Sequence, residues 1–174
     1  MLQLHGKTVL RNVSKSKVSV AVLAVCWVLG ICLGACFAVF AFSNVSFMVR
    51  TVVSHRVSIS GMLLTVFFPL GLSVVFIVFS VRFLLPLLAF CKAFSFSFCS
   101  CCILSAYGTS AWLVWQLVMF SDLFLIVILL WFWIRALFGS GNIKKDFLIC
   151  CFLSLFVGTV DCFIVSPFLA ALFN

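Results

Sequence analysis

Acidic side chains are nearly missing from this sequence. Three carboxylates (Asp122, Asp146 and Asp161) occur in 174 residues, and glutamate does not occur at all. Charged residues of both signs make up only 8% of the chain, against about 25% in a soluble domain. That shortage excludes an ordinary water-soluble fold. Histidine is as scarce: His5 and His55 both lie in polar stretches, so no apolar segment holds an imidazole to act as a base or a metal ligand. His55 reads as a solvated interfacial residue. HExxH, GxSxG, P-loop and glycine-rich nucleotide fingerprints are all absent from the sequence. An intramembrane protease would need paired catalytic aspartate motifs with glycine neighbours, and Asp161 has only Gly158. The expectation is a chain with no catalytic residues, no cofactor and no metal site.

What the sequence has is apolar surface. Hydrophobic residues make up 67% and mean hydropathy is +1.44. With about 20 residues needed per span, nearly the whole chain is membrane, and no stretch is left for a soluble catalytic domain. The fold class read from this is all-α: a polytopic, multi-pass helical bundle of the cell membrane, with lipid as its surrounding partner. The net charge of +8 does not point to nucleic acid, because no basic patch or folded domain exists to carry such binding. Short basic loops beside anionic lipid explain it better, and they set topology.

Ten cysteines suggest a disulfide framework until they are placed. All fall in apolar runs, where cysteine acts as a small, weakly polar packing residue. Cys99-Ser100-Cys101-Cys102 contains a CxxC spacing, but it lies within a span with no histidine nearby, so neither metal nor redox chemistry is expected there.

Along the chain, residues 1–17 form a basic cytoplasmic arm with Lys7, Arg11, Lys15 and Lys17, suited to an interfacial helix. The transmembrane domain then occupies 18–174, with spans at about 18–42, 57–81, 83–107, 111–134 and 147–172. The first span follows a basic segment as a signal peptide's core would. Its apolar run is too long for one, so it reads as an uncleaved anchor. It carries Gly30 and Gly34 as GxxxG, extended by Cys26 and Ala38 into one small-residue face. Such a face packs against another helix of the chain or a second copy in a homo-oligomer. Pro69, followed by Gly71, should kink the second span. Pro86 is tolerated in the first turn of the third. There Cys91, Ser95, Cys99, Cys102 and Ala106 form a stripe at helical spacing. The fourth span opens with Trp112 and Trp115 and closes with Trp131 and Trp133, which read as interfacial belts. Arg135 through Lys145 reads as a flexible basic loop.

Five spans with the N-terminus inside put Lys7, Arg11, Lys15, Lys17, Arg82, Arg135, Lys144 and Lys145 in the cytoplasm and only Arg50 and Arg56 outside. That asymmetry obeys the positive-inside rule.

Three ionisable residues lie within spans: Lys92, Asp122 and Asp161. At 1.5 Å per residue, both carboxylates lie roughly 20 Å from the cytoplasmic edge and Lys92 roughly 15 Å. A charge at that depth costs about 2.5–3.5 kcal/mol on insertion scales, so such groups face other helices and pair. The layer reads as a clamp that fixes how spans three, four and five dock, as an ion or proton relay or a substrate counter-charge, or as three independent placements.

The closing segment Val157-Gly158-Thr159-Val160-Asp161-Cys162-Phe163-Ile164-Val165-Ser166-Pro167 is similar to the last helix of the stage II sporulation protein M family. That helix has a small-residue patch, an acid, and then Ser-Pro or Thr-Pro. Leu85-Pro86-Leu87 with Phe90 and Lys92, the turn Gly108-Thr109-Ser110-Ala111, and Val28-Leu29-Gly30 with Gly34 resemble further family features. The chain departs from the family at Ala93, where glycine is usual, around Phe120-Ser121, where a Pro-His/Gln pair is usual, and in its short first external loop. The resemblance implies a non-enzymatic scaffold that anchors and localises peptidoglycan hydrolases, with the stage II sporulation proteins D and P as partners in engulfment. In that reading Gly30, Gly34, Gly158, Ser166 and Pro167 are helix-packing positions. The competing expectation is a small transporter, or a substrate-binding transporter subunit, working through Lys92, Asp122 and Asp161.

Overall fold

A segment crossing lipid must satisfy its own backbone N–H and C=O groups, and a helix does this alone. The computed structural model obeys that rule. Its helices are α1 (Leu2–Phe40), α2 (Ile59–Val78), α3 (Leu85–Tyr107), α4 (Ala111–Phe138) and α5 (Ile143–Val160). A 3₁₀ turn at Arg82–Leu84 precedes α3, and a π-helical turn at Asp161–Val165 continues α5. The structure describes residues 2–40, 59–107, 111–138, 142–165 and 167, and none of these is in a strand. The expected linker at Ser43–Arg56, the turn at Gly108–Ser110 and Ser166 lie outside the described residues.

Among the described residues, four helices are long and apolar enough to cross a membrane: Lys17–Phe40, Arg82–Ala106, Met119–Phe138 and Ile143–Val165. That architecture is compatible with a multi-pass membrane protein. Helix α2 is 20 residues long, and Phe67–Val78 is the apolar stretch among its described side chains. Helix α1 runs unbroken for 39 residues, so the basic segment and the first span are one helix. Helix α4 continues to Phe138 and α5 begins at Ile143. Both are longer at this end than hydropathy suggests, and they take in Arg135 and Asp146.

The connection between α2 and α3 is tight for a definable reason. Ser80 N–H donates to the Ile77 carbonyl (3.1 Å) and Val81 N–H to the Phe76 carbonyl (2.8 Å). This is a Schellman closure, and it puts Ser80 at φ 59°. Glycine usually fills that left-handed position, so serine here is strained. The π turn at the other end has its own cause. Pro167 lacks an N–H and its ring crowds the carbonyl four residues back, so the turn before it widens.

Helix α4 is the axis of the bundle: it touches all four other helices, and its membrane window is the most buried of the four. Its Leu129, Phe132, Trp133 and Ala136 form a core with Leu23, Leu70, Ile77, Leu85, Ala89 and Cys150. Helix α1 packs chiefly on α3. A Cβ on Gly30 would come within 2.5 Å of the Phe90 carbonyl oxygen, and one on Gly34 would meet the Phe94 carbonyl oxygen closer still. Ala38 packs with Cys102 further along. The contact positions rise together on both helices, so α1 and α3 are parallel.

The α3 side of this contact differs from the sequence expectation. Ala89, Ala93, Ser97 and Ser100 are buried, whereas of the expected stripe Cys91, Ser95 and Ala106 are exposed, Cys99 is half-buried and only Cys102 is buried, against Ala38. Two positions along a helix is about 200° around it, so the packed stripe lies on nearly the opposite face. Both faces carry small side chains, and what separates them is Ser97, whose hydroxyl donates to the Ile31 carbonyl of α1 at 2.8 Å.

The expected tryptophan belt also changes at one end. Trp133 is fully buried, and its indole N–H donates to Ser73 Oγ on α2 at 2.7 Å. Trp133 is therefore a core residue, because a buried partner for its N–H outweighs the interface. Trp112 stays exposed and stacks on Trp115.

Candidate functional site

The membrane charges are positioned by α3 and α4, which pack side by side. Lys92 projects from the middle of α3 and Asp122 from α4, and Lys92 Nζ donates to Asp122 Oδ1 at 3.2 Å. Their side chains keep only 13% and 7% of their surface. Water this scarce screens the attraction little, and the partner removes most of the cost of burying each charge. The pair thus joins two helices at a fixed register.

Asp161, the third member of the expected layer, is 7% exposed at the first position of the π turn. That turn packs on α4. Asp161 is not without a partner. Gly158, one turn earlier, is buried, as a close helix contact requires. Pro167 is exposed on a helical backbone.

Pro69 lies inside α2, where a hydrogen-bond chain begins. Ser73 Oγ donates to the Pro69 carbonyl at 2.6 Å while accepting from Trp133 at 2.7 Å. Ser73 and Trp133 are both fully buried, so the chain ties the proline-bearing helix to the bundle axis with no water involved.

A second ion pair was not foreseen in the sequence. Arg135 Nε and Nη2 donate to the two carboxylate oxygens of Asp146, each at 3.2 Å. The fork-to-fork geometry is the strong form of an arginine–carboxylate contact. Asp146 is buried to 8% of its side-chain surface, whereas Arg135 keeps 41%, and its guanidinium lies 5.4 Å from the Trp131 ring centre. The signal was legible. An arginine in the last turn of one helix and an aspartate in the first turn of the next each suit the helix dipole. Across a short connection they are also neighbours. Reading 135–145 as a loop hid both.

All ten cysteines are free thiols, and the described residues contain no group of three metal-ligating side chains. Two exposed hydroxyls bond within their own helices: Ser105 and Thr159 each donate to the carbonyl four residues back, at 2.7 Å. Chemically, the arrangement joins helices through charge and hydrogen bonding. No protein-family model, curated protein or solved structure matches the chain.

Proposed function

We propose that this chain is a non-enzymatic integral membrane scaffold, inserted with its N-terminus in the cytoplasm and with α2 as a fifth crossing. The observation that carries the reading is the closed Lys92–Asp122 pair between α3 and α4. A lysine already held by a carboxylate at 3.2 Å suits a clamp better than a transport site, which must exchange partners. The Arg135–Asp146 fork repeats the same device between α4 and α5. Support for the fifth crossing comes from the length of α2: 20 residues span about 30 Å, the thickness of a bilayer core. Support for the orientation comes from charge. The antiparallel packing brings Lys17, Arg82, Arg135, Lys144 and Lys145 to one end of the bundle. The partners in this reading are peptidoglycan hydrolases, and the support for them is the sequence resemblance to the stage II sporulation protein M family.

The test is affinity capture of the tagged, full-length protein from native membranes, with mass spectrometry of what is held and Asp161→Asn alongside. Peptidoglycan hydrolases recovered with the wild type and lost with the variant support the scaffold. An ATPase pair recovered in their place moves the assignment to a transporter subunit. That second reading is favoured by one observation: a buried aspartate opening a π turn, a backbone irregularity frequent at functional sites.

A further inference from the structure

Among the described residues Arg82, which is half-buried, has no carboxylate partner, whereas Lys92 and Arg135 each have one. Asp122 pairs with Lys92 and Asp146 with Arg135. Arg82 Nη1 donates instead to the Ala136 carbonyl at 3.3 Å, at the C-terminal end of α4. A guanidinium has five N–H donors, so this contact uses only part of its capacity. The residue also lines a groove of about 320 Å³ with Val18, Ser19, Val22, Phe83 and Leu137. That size falls within the range of about 300–1,000 Å³ usual for small-ligand sites.

The position of the groove limits what can occupy it. Its walls come from α1, from the 3₁₀ turn, from Pro86 at the start of α3 and from the end of α4. The membrane windows of α1 and α3 begin at Lys17 and Arg82, so the groove straddles the boundary between headgroups and hydrocarbon. Its polar edge is cationic, with Lys17 next to Val18 in sequence. Apart from Ser19 the rest is apolar, and Val18, Val22 and Phe83 are 61%, 47% and 74% exposed. An occupant must therefore be anionic at one end and aliphatic at the other. We infer that this groove binds one anionic phospholipid of the adjoining leaflet, its phosphate on the Arg82 guanidinium and an acyl chain along Val18, Val22 and Phe83. Basic pockets between helices at this level hold anionic headgroups in the same manner.

Native mass spectrometry of the full-length protein tests this, with phosphatidylglycerol and phosphatidylcholine supplied in equal amounts. Two variants run beside the wild type. Arg82→Gln removes the charge while keeping an N–H for the Ala136 carbonyl, and Val22→Trp fills the groove without touching Arg82. The wild type should retain phosphatidylglycerol in preference, and each variant should reduce that retention about fivefold or more. Lys144→Gln with Lys145→Gln, on the same end but away from the groove, should leave it unchanged. Melting temperatures in lipid-free detergent, equal for all four proteins, separate lost binding from lost folding. The inference is overturned if both lipids are retained equally, or if Val22→Trp retains phosphatidylglycerol as the wild type does. Full competition by glycerol phosphate, which lacks acyl chains, also overturns it by reducing the site to one for free phosphate.

Discussion

At the scale of single residues, this protein is governed by how few charged side chains it has and by the partners that Lys92, Asp122, Arg135 and Asp146 find in one another. Lys92 and Asp122 carry opposite charges in a place where neither could remain alone. Replacing one, as Lys92→Met or Asp122→Leu, strands the other, and should cost about 3–5 kcal/mol of stability. The double variant should recover most of that, because an apolar pair of similar volume is nearly neutral in such a site. Thermal unfolding in one detergent checks the cycle. Recovery of fold together with native partner capture marks a clamp, whereas a well-folded double variant that has lost activity marks a relay. Ser73→Ala makes a different point. It removes a hydroxyl that both accepts from Trp133 and donates to Pro69, and leaves a buried indole N–H without a partner. The expected loss is about 1–3 kcal/mol, readable as a lower melting temperature; an unchanged value would mean that the bond contributes nothing.

At the scale of elements, Gly30 and Gly34 of α1 and Gly71 of α2 differ in use although all three lie in helices. Gly30 and Gly34 face the backbone of α3 so closely that an added Cβ has no room, whereas a Cβ on Gly71 would meet nothing within 4 Å. Gly34→Leu should therefore separate α1 from α3 and break the Ser97–Ile31 hydrogen bond. Gly71→Ala should be neutral or stabilise by up to about 1 kcal/mol through helix propensity. Protease resistance of the purified protein distinguishes the two outcomes, and equal sensitivity of both variants would refute the assigned packing. The α4–α5 hairpin depends on the Arg135–Asp146 fork. Asp146→Asn keeps the shape but removes the charge, and should cost about 1–2 kcal/mol, discounted because Arg135 is two-fifths exposed. High salt should reduce the difference between wild type and variant, since an exposed arginine is screened.

At the scale of the whole molecule, five described cations lie at one end of the bundle, which sets a prediction for topology. Reporter fusions should place the N-terminus and the α4–α5 connection on the same, cytoplasmic side. A fusion after Lys145 reporting the opposite side would overturn the orientation. The sequence by itself determined the class of structure, because hydropathy acts on each segment independently of its neighbours. It also identified the packing face of α1, where Gly30, Gly34 and Ala38 recur at four-residue spacing, and it singled out Lys92 and Asp122, which are costly in lipid wherever they point. Only the tertiary structure decided which face of α3 receives α1, that Trp133 leaves the interface for Ser73, and that Asp146 belongs to Arg135. Each of those depends on a partner on another helix. Local pattern records what a side chain is, but a contact energy exists only once two helices are in register.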